Sequence, residues 1–291
     1  MFNLKAVINQ VKYDEYGRPS GIIAMKKNPG MSSHDLVYQA RRYYHFKKIG
    51  HAGALDKFAS GLMLILIGKA TKMAEQLLSF DKQYQARILF GVKTDTQDIE
   101  GKILATQNVT LDLTAEKREE LLTRFLGKQT QFVSIFSSVK VQGEKLRILM
   151  RDPDFSKEIV WRGQQKFLIM TSLKNSQFHK EFEIPAKPIE IYNLELGKLT
   201  KADVNAFHFV DDSLKNSLNN FYYLDITVDC SKGTYIRQLA EDIGSFFDIP
   251  AVLVALERSR IGEIELTDTI VLESAPDNVP DDKSSREPIL D

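Results

Sequence analysis

The segment Lys48-Ile-Gly-His-Ala-Gly-Ala-Leu-Asp-Lys-Phe-Ala-Ser-Gly-Leu62 constrains this chain more than any other. Gly50, Gly53 and Gly61 fall within twelve residues, so the backbone turns tightly there or something approaches it closely. An apolar run of six, Leu62 to Ile67, follows at once and ends at Gly68. Such a run reads as a buried strand and is far too short to cross a bilayer. A glycine-rich loop that feeds a buried strand needs a core around it. With 291 residues, 43% hydrophobic and 27% charged, the chain can build one without staples. The single cysteine, Cys230, excludes an intrachain disulfide framework and a cysteine-built zinc finger. It stands at a strand end with no base matched to it, which reads as a structural thiol. Met1 to Pro19 lacks the apolar run of a signal peptide, so the expected compartment is the cytoplasm.

The 39 basic and 39 acidic residues cancel, which alone argues against a nucleic-acid binder. Their distribution argues the other way. Residues 26–72 hold nine Lys/Arg and two Asp, whereas residues 272–291 hold six acids and two bases. The basic stretch is either a solvated face or a phosphate-binding footprint. The acidic tail, 273–291, has no apolar periodicity and is expected to be disordered.

Strands are expected at Gly21 to Met25, Leu62 to Ile67, Tyr84 to Phe90 and Phe221 to Asp229, the third alternating with a weak polar side and the last alternating strongly. Helices are expected from Ser32 or Ser33 to Tyr44, from Ala70 to Leu78 with Met73, Ala74, Leu77 and Leu78 on one face, and from Thr114 to Leu126. Another runs from Thr234, as its N-cap, to Gly244. Residues 152–185 read as an excursion from the core, and 201–220 as a polar loop with some helix. No regular strand–helix–strand alternation appears, so the class is α+β around a mostly antiparallel mixed sheet flanked by helices.

Within the glycine-bearing loop sit His51 and Asp56. Taken alone, Asp56 is a turn former, and the pair is a weak candidate for metal ligands because no further His, Cys or acid lies nearby. Gly68-Lys69-Ala70-Thr71 lacks the spacing of a nucleotide-binding P-loop.

KIGHAGALDKFASGLMLILIGKATK resembles the central motif of the TruB family of tRNA pseudouridine synthases. KKNPGMSS, YQARILFGVKTDTQDIEG, SSVKVQGEKL, DCSKGTYIRQLAEDIG and LERSRIGEI resemble further motifs of that family, in its order. The resemblance covers about residues 20–150 and 186–265. It implies the pseudouridine synthase fold and an isomerase that turns uridine 55 in the T-loop of tRNA into pseudouridine, with no cofactor and no metal. It implies Asp56, Tyr84 and Arg237 as catalytic residues: Asp56 as nucleophile, Arg237 as the cation that keeps it ionised, and Tyr84 against the base. Tyr235 and Leu256 match positions lining the base pocket. His51 matches the residue that fills the gap left by a flipped base. Lys26, Lys27, Lys48, Lys69 and Lys140 are the expected phosphate contacts along the T-loop and T-stem.

The match departs from the family at Asn28, Ala52, Lys57, Val133 to Phe136 and Glu257, all outside the catalytic three. One catalytic domain, 1–272, is expected, with 152–185 inserted in it and the PUA-like RNA-binding domain absent. The chain is expected to be a monomer. A synthase for another RNA, or a tRNA-binding protein without activity, are the competing readings.

Overall fold

A computed structural model describes residues 3–203 and 220–272. The expected loop at 201–220 and the acidic tail lie largely outside the described residues. In chain order the elements are β1 Lys12–Tyr13, β2 Pro19–Lys27, α1 Ser33–Tyr44, β3 Ile49–Ala52, β4 Ser60–Ile67, α2 Ala74–Leu78 and β5 Lys82–Phe90. There follow β6 Val92–Thr94, β7 Ile103–Thr106, α3 Ala115–Phe125, β8 Gly127–Phe132, β9 Lys140–Val141, β10 Glu144–Lys145 and α4 Leu146–Arg151. The rest are β11 Phe155–Arg162, β12 Gln165–Ser172, β13 His179–Ile184, β14 Ala186–Ala202, β15 Phe221–Cys230, α5 Ile236–Phe246, β16 Ala251–Ile261 and β17 Ile264–Glu265. They form two units, Met1–Gln85 with Leu256–Asp291 and Ala86–Ala255, and the chain crosses between them within β5 and β16.

In the first unit β4 is the central strand. It pairs antiparallel with β2 and β3 and parallel with β16. Its residues from Gly61 on are all buried, as the bounded apolar run predicts. Leu62, Leu64 and Leu66 join Ile22, Ala24, Leu77, Ile261 and Ile264 in one core. Ser32 caps α1 as expected and does so in a full capping box with Asp35, so two orphan amides are satisfied reciprocally. The helix buries Leu36, Val37 and Ala40.

In the second unit β14 lies between β15 and β8, antiparallel to both. The excursion becomes an antiparallel meander, β11-β12-β13. Leu168, Met170, Phe182 and Ile184 on one face share a core with Val133, Val141, Leu146 and Leu149. That ties the meander to β9 and α4, and the α+β class with mostly antiparallel pairing holds in both units.

Two expected elements differ. The helix from Ala70 begins instead as a 3-10 turn, Gly68–Met73, with Thr71 Oγ1 donating to the Gly68 carbonyl. Three residues per turn rotate the apolar face, so Leu77 is buried while Leu78 is 43% exposed. Thr234 is not the cap of α5. Tyr235 holds that position without a side-chain bond, and the Thr234 hydroxyl donates to Ser231 O, closing the preceding turn.

Candidate active site

Asp56 lies in the loop 53–59 between β3 and β4 and is half-buried. Its two neighbours are fixed from α1 and the segment before it. Ser33 Oγ accepts from the Leu55 amide at 2.9 Å and donates to the Leu55 carbonyl at 3.2 Å. The Lys57 carbonyl accepts from the Gly30 amide at 2.9 Å and from Lys27 Nζ at 3.2 Å. With Leu55 and Lys57 both held, the backbone on either side of Asp56 is fixed in place.

Lys27 corrects the sequence reading. It is fully buried, and its ammonium donates to the carbonyls of Asn28, Met31 and Lys57. A buried ammonium turned towards main-chain carbonyls is not presented to a phosphate at the surface. Lys26 is half-exposed and paired with Glu257 at 3.0 Å, which also accepts from Ser60 Oγ. Glu257 stands where the family pattern has arginine, and here it takes up the charge of Lys26. Lys48 and Lys69 are exposed and keep their reach to solvent.

His51 sits at the end of β3, opposite Ile65 of β4, so the loop proper starts at Gly53 rather than before the histidine. Its ring meets His34 of α1 edge to face at 5.9 Å. Tyr84 is half-buried on β5. Leu256 is buried on β16, on the same side of that strand as Arg258.

In the second unit the arginine of the DCSKGTYIR motif is set by a carboxylate that the sequence reading left without a role. Arg237 opens α5, is 7% exposed, and its Nη1 donates to Thr96 O at 3.0 Å and to Asp98 Oδ2 at 3.3 Å. Asp98 Oδ1 accepts from Thr96 Oγ1 and from the Glu100 amide. Gly101 closes this turn because a Cβ there would lie 2.3 Å from Thr96 Oγ1 and 2.5 Å from Asp95 Oδ1. The Asp-x-x-Gly spacing, Asp98 to Gly101, was the available signal: a carboxylate capping its own turn before an obligatory glycine. Tyr235 is half-buried at the head of α5, and its amide and carbonyl both bond the side chain of Gln131. Lys140 is exposed on the β9-β10 hairpin.

Behind Arg237 a buried polar network joins Gln97, Gln238, Glu241 and Asp242. Burial pushes the Glu241 carboxyl up, but the hydrogen bond and charge of Lys93, with Lys166 and Gln97, bring it below its ordinary value. Asp242 goes the other way. Burial pushes it up to about 6, against the Gln238 hydrogen bond and with the charge of Glu241. Lys166 of β12 is held below the usual lysine value by burial, despite the charges of Glu241 and Asp242, and lies over the rings of Trp161 and Phe132.

Among the described residues no group of three or more His, Cys, Asp or Glu is placed to hold a metal ion, and no helix is long and apolar enough to cross a membrane.

The family model described as TruB family pseudouridylate synthase (N terminal domain) matches residues 41–162. The tRNA pseudouridine synthase B of Latilactobacillus sakei subsp. sakei (strain 23K) is 34% identical over 252 residues, which is 87% of this chain and 70% of that protein. The protein of that name from Listeria welshimeri is 35% identical over 253 residues, with the same coverage of 87% and 70%. Among solved structures, one described as a Cbf5-Nop10-Gar1 complex superimposes with a TM-score of 0.50 at 18% identity, over 88% of this chain and 55% of that chain, a likeness of fold.

Proposed function

Because the chain belongs to the TruB family of pseudouridylate synthases, we propose that it is a tRNA pseudouridine synthase whose target is uridine 55 in the T-loop. The reaction breaks the bond from ribose C1′ to uracil N1 and makes one from C1′ to C5. The C5 proton is lost and N1 gains one, so atoms balance with no cofactor. The observation that carries the reading is the carboxylate of Asp56, presented by a loop whose residues on either side are hydrogen-bonded in place.

Asp56 serves as the nucleophile, at C1′ of the sugar or C6 of the base, because a carboxylate can both attack and leave. A carboxylate drawn into a pocket with the base tends to take a proton unless a cation opposes this. Arg237 is assigned that role, with Asp98 and the Thr96 carbonyl fixing its guanidinium. Tyr84 is assigned to stack on the base, and Tyr235 and Leu256 to line its pocket. His51, with His34 beside it, offers flat rings where a flipped base leaves its stack. Lys48, Lys69 and Lys140 are assigned to phosphate, a contact that weakens with salt. The protein acts on tRNA in the cytoplasm as a monomer.

Incubation with an unmodified tRNA transcript, followed by chemical mapping of pseudouridine, tests this. A new pseudouridine at position 55 is expected. Binding without product would favour a tRNA-binding protein without activity, and product elsewhere would favour another target.

A further inference from the structure

Arg258 is 2% exposed, and a guanidinium carries its charge at every working pH. Its Nε donates to the Leu62 carbonyl at 2.8 Å and its Nη2 to the Gly53 carbonyl at 3.1 Å. Among the described residues it forms no ion pair. Burying a cation without a counter-charge is costly, and an apolar residue of similar volume stabilises a core better. Stability of the strand is therefore a poor account of why an arginine stands here.

What this arginine does is hold both ends of the loop that bears Asp56. The loop begins at Gly53, whose carbonyl the side chain takes. It ends where β4 begins, and there the main chain of Arg258 pairs in parallel with Gly61. The approach is so close that a Cβ on Gly61 would lie 2.4 Å from the Arg258 carbonyl oxygen and 2.5 Å from its nitrogen. Gly61 also has φ +118°, a conformation L side chains rarely adopt, so two requirements fix glycine at this point. One residue thus sets the start of the loop by its side chain and the exit by its backbone. Asp56 lies at the middle of 53–59, as far as it can be from either end.

We infer that Arg258 is a positioning residue for Asp56, setting the span of the 53–59 loop so that the carboxylate meets its target at reacting distance. This rests on the reading of Asp56 as nucleophile. Arg258 itself touches no reacting atom. Errors of about 1 Å in such a placement cost on the order of 100-fold in rate.

The test uses Arg258→Met and Arg258→Lys in the full chain. Single-turnover pseudouridine formation, tRNA affinity and amide exchange over 53–59 are measured for each. Arg258→Met should lower the turnover rate about 100-fold, leave tRNA affinity within about twofold, and speed exchange in 53–59 at least tenfold with 63–67 unchanged. Arg258→Lys should recover part of the rate, since an ammonium keeps the charge but lacks the planar guanidinium whose Nε and Nη2 meet the Leu62 and Gly53 carbonyls from two fixed positions. Arg258→Met with wild-type rate and wild-type exchange in 53–59 would overturn the inference. Should Arg258→Met not fold, Arg258→Lys decides: faster loop exchange with lowered rate supports the clamp, and wild-type values of both overturn it. The exchange readout stands even where the wild type makes no pseudouridine, so failure of the activity and failure of the clamp are told apart.

Discussion

The loop 53–59 and the meander 155–184 sit in different units and are held by different forces. The loop is fixed by donors aimed at main-chain carbonyls: Lys27 at Lys57, Arg258 at Gly53, and Ser33 at Leu55. The meander is fixed by an apolar face, with Leu168, Met170, Phe182 and Ile184 in one core with α4. Hydrogen bonds to carbonyls fix directions and positions of backbone atoms, whereas apolar packing fixes contact with less demand on angle. A loop that must aim a carboxylate needs the first kind of hold. A sheet that must stay docked needs only the second. The meander also carries Lys166, which feels Glu241 and Asp242, so its surroundings titrate, while carbonyl oxygens do not.

The largest expected break in this comparison is Phe182→Ala. Removing a ring that is 3% exposed should cost about 3–5 kcal/mol. Trp161, the only tryptophan, lies on β11 against Phe132 and reports on the meander. Its emission should move to lower urea, while amide exchange in 53–59 stays unchanged. A loop that loosens as well would mean the two regions are not held separately.

A smaller effect, and one that depends on pH, is expected at Asp242. Burial raises its folded-state value from 3.8 to about 6, so the folded state holds a proton that the unfolded state has released. The stability from that proton is fully present below the unfolded value and is lost as pH rises through about 6. The difference comes to about 2–3 kcal/mol. Asp242→Asn stays neutral and can still accept from Gln238. It should be more stable than wild type at pH 8, by an amount that shrinks towards pH 4. Urea midpoints at the two pH values check this, and a constant difference would rule it out.

The smallest effect is expected at Ser33→Ala, which strands the buried amide and carbonyl of Leu55 and should cost about 1–2 kcal/mol. Exchange at Leu55 should rise while the Trp161 midpoint stays in place, the mirror image of Phe182→Ala. Movement of both would again join the two regions.

Much of this was legible in the sequence. Six apolar residues between glycines announced β4, Ser32 announced α1, and the alternation at 222–228 announced β15, because each is written in neighbouring residues. The loop's glycine content marked its place, and resemblance of its motif pointed to Asp56. What holds the loop was not legible, since its partners lie 22 residues away at Ser33 and 205 away at Arg258. Lys27 looked like a phosphate contact because sequence shows its charge but not its burial. Residues 152–185 read as an excursion because the partners of their apolar positions are distant in sequence, and only strand pairing brings Leu168, Met170, Phe182 and Ile184 to one face. Thr234 fitted the cap of α5 by residue type, but the turn at Ser231 claims its hydroxyl. Asp98 carried a signal in its glycine three residues on, and only the fold brings Arg237 to it.

The most direct test of the account is Asp56→Asn, a change that keeps the shape and removes the carboxylate proposed as nucleophile. Pseudouridine formation on an unmodified tRNA transcript and affinity for that transcript are measured together, against the wild type. Turnover should fall to background while affinity stays within about threefold, because the phosphate contacts proposed for Lys48, Lys69 and Lys140 do not use this carboxylate. An Asp56→Asn protein that makes pseudouridine at a rate comparable to the wild type would contradict the assignment of this loop as the active site.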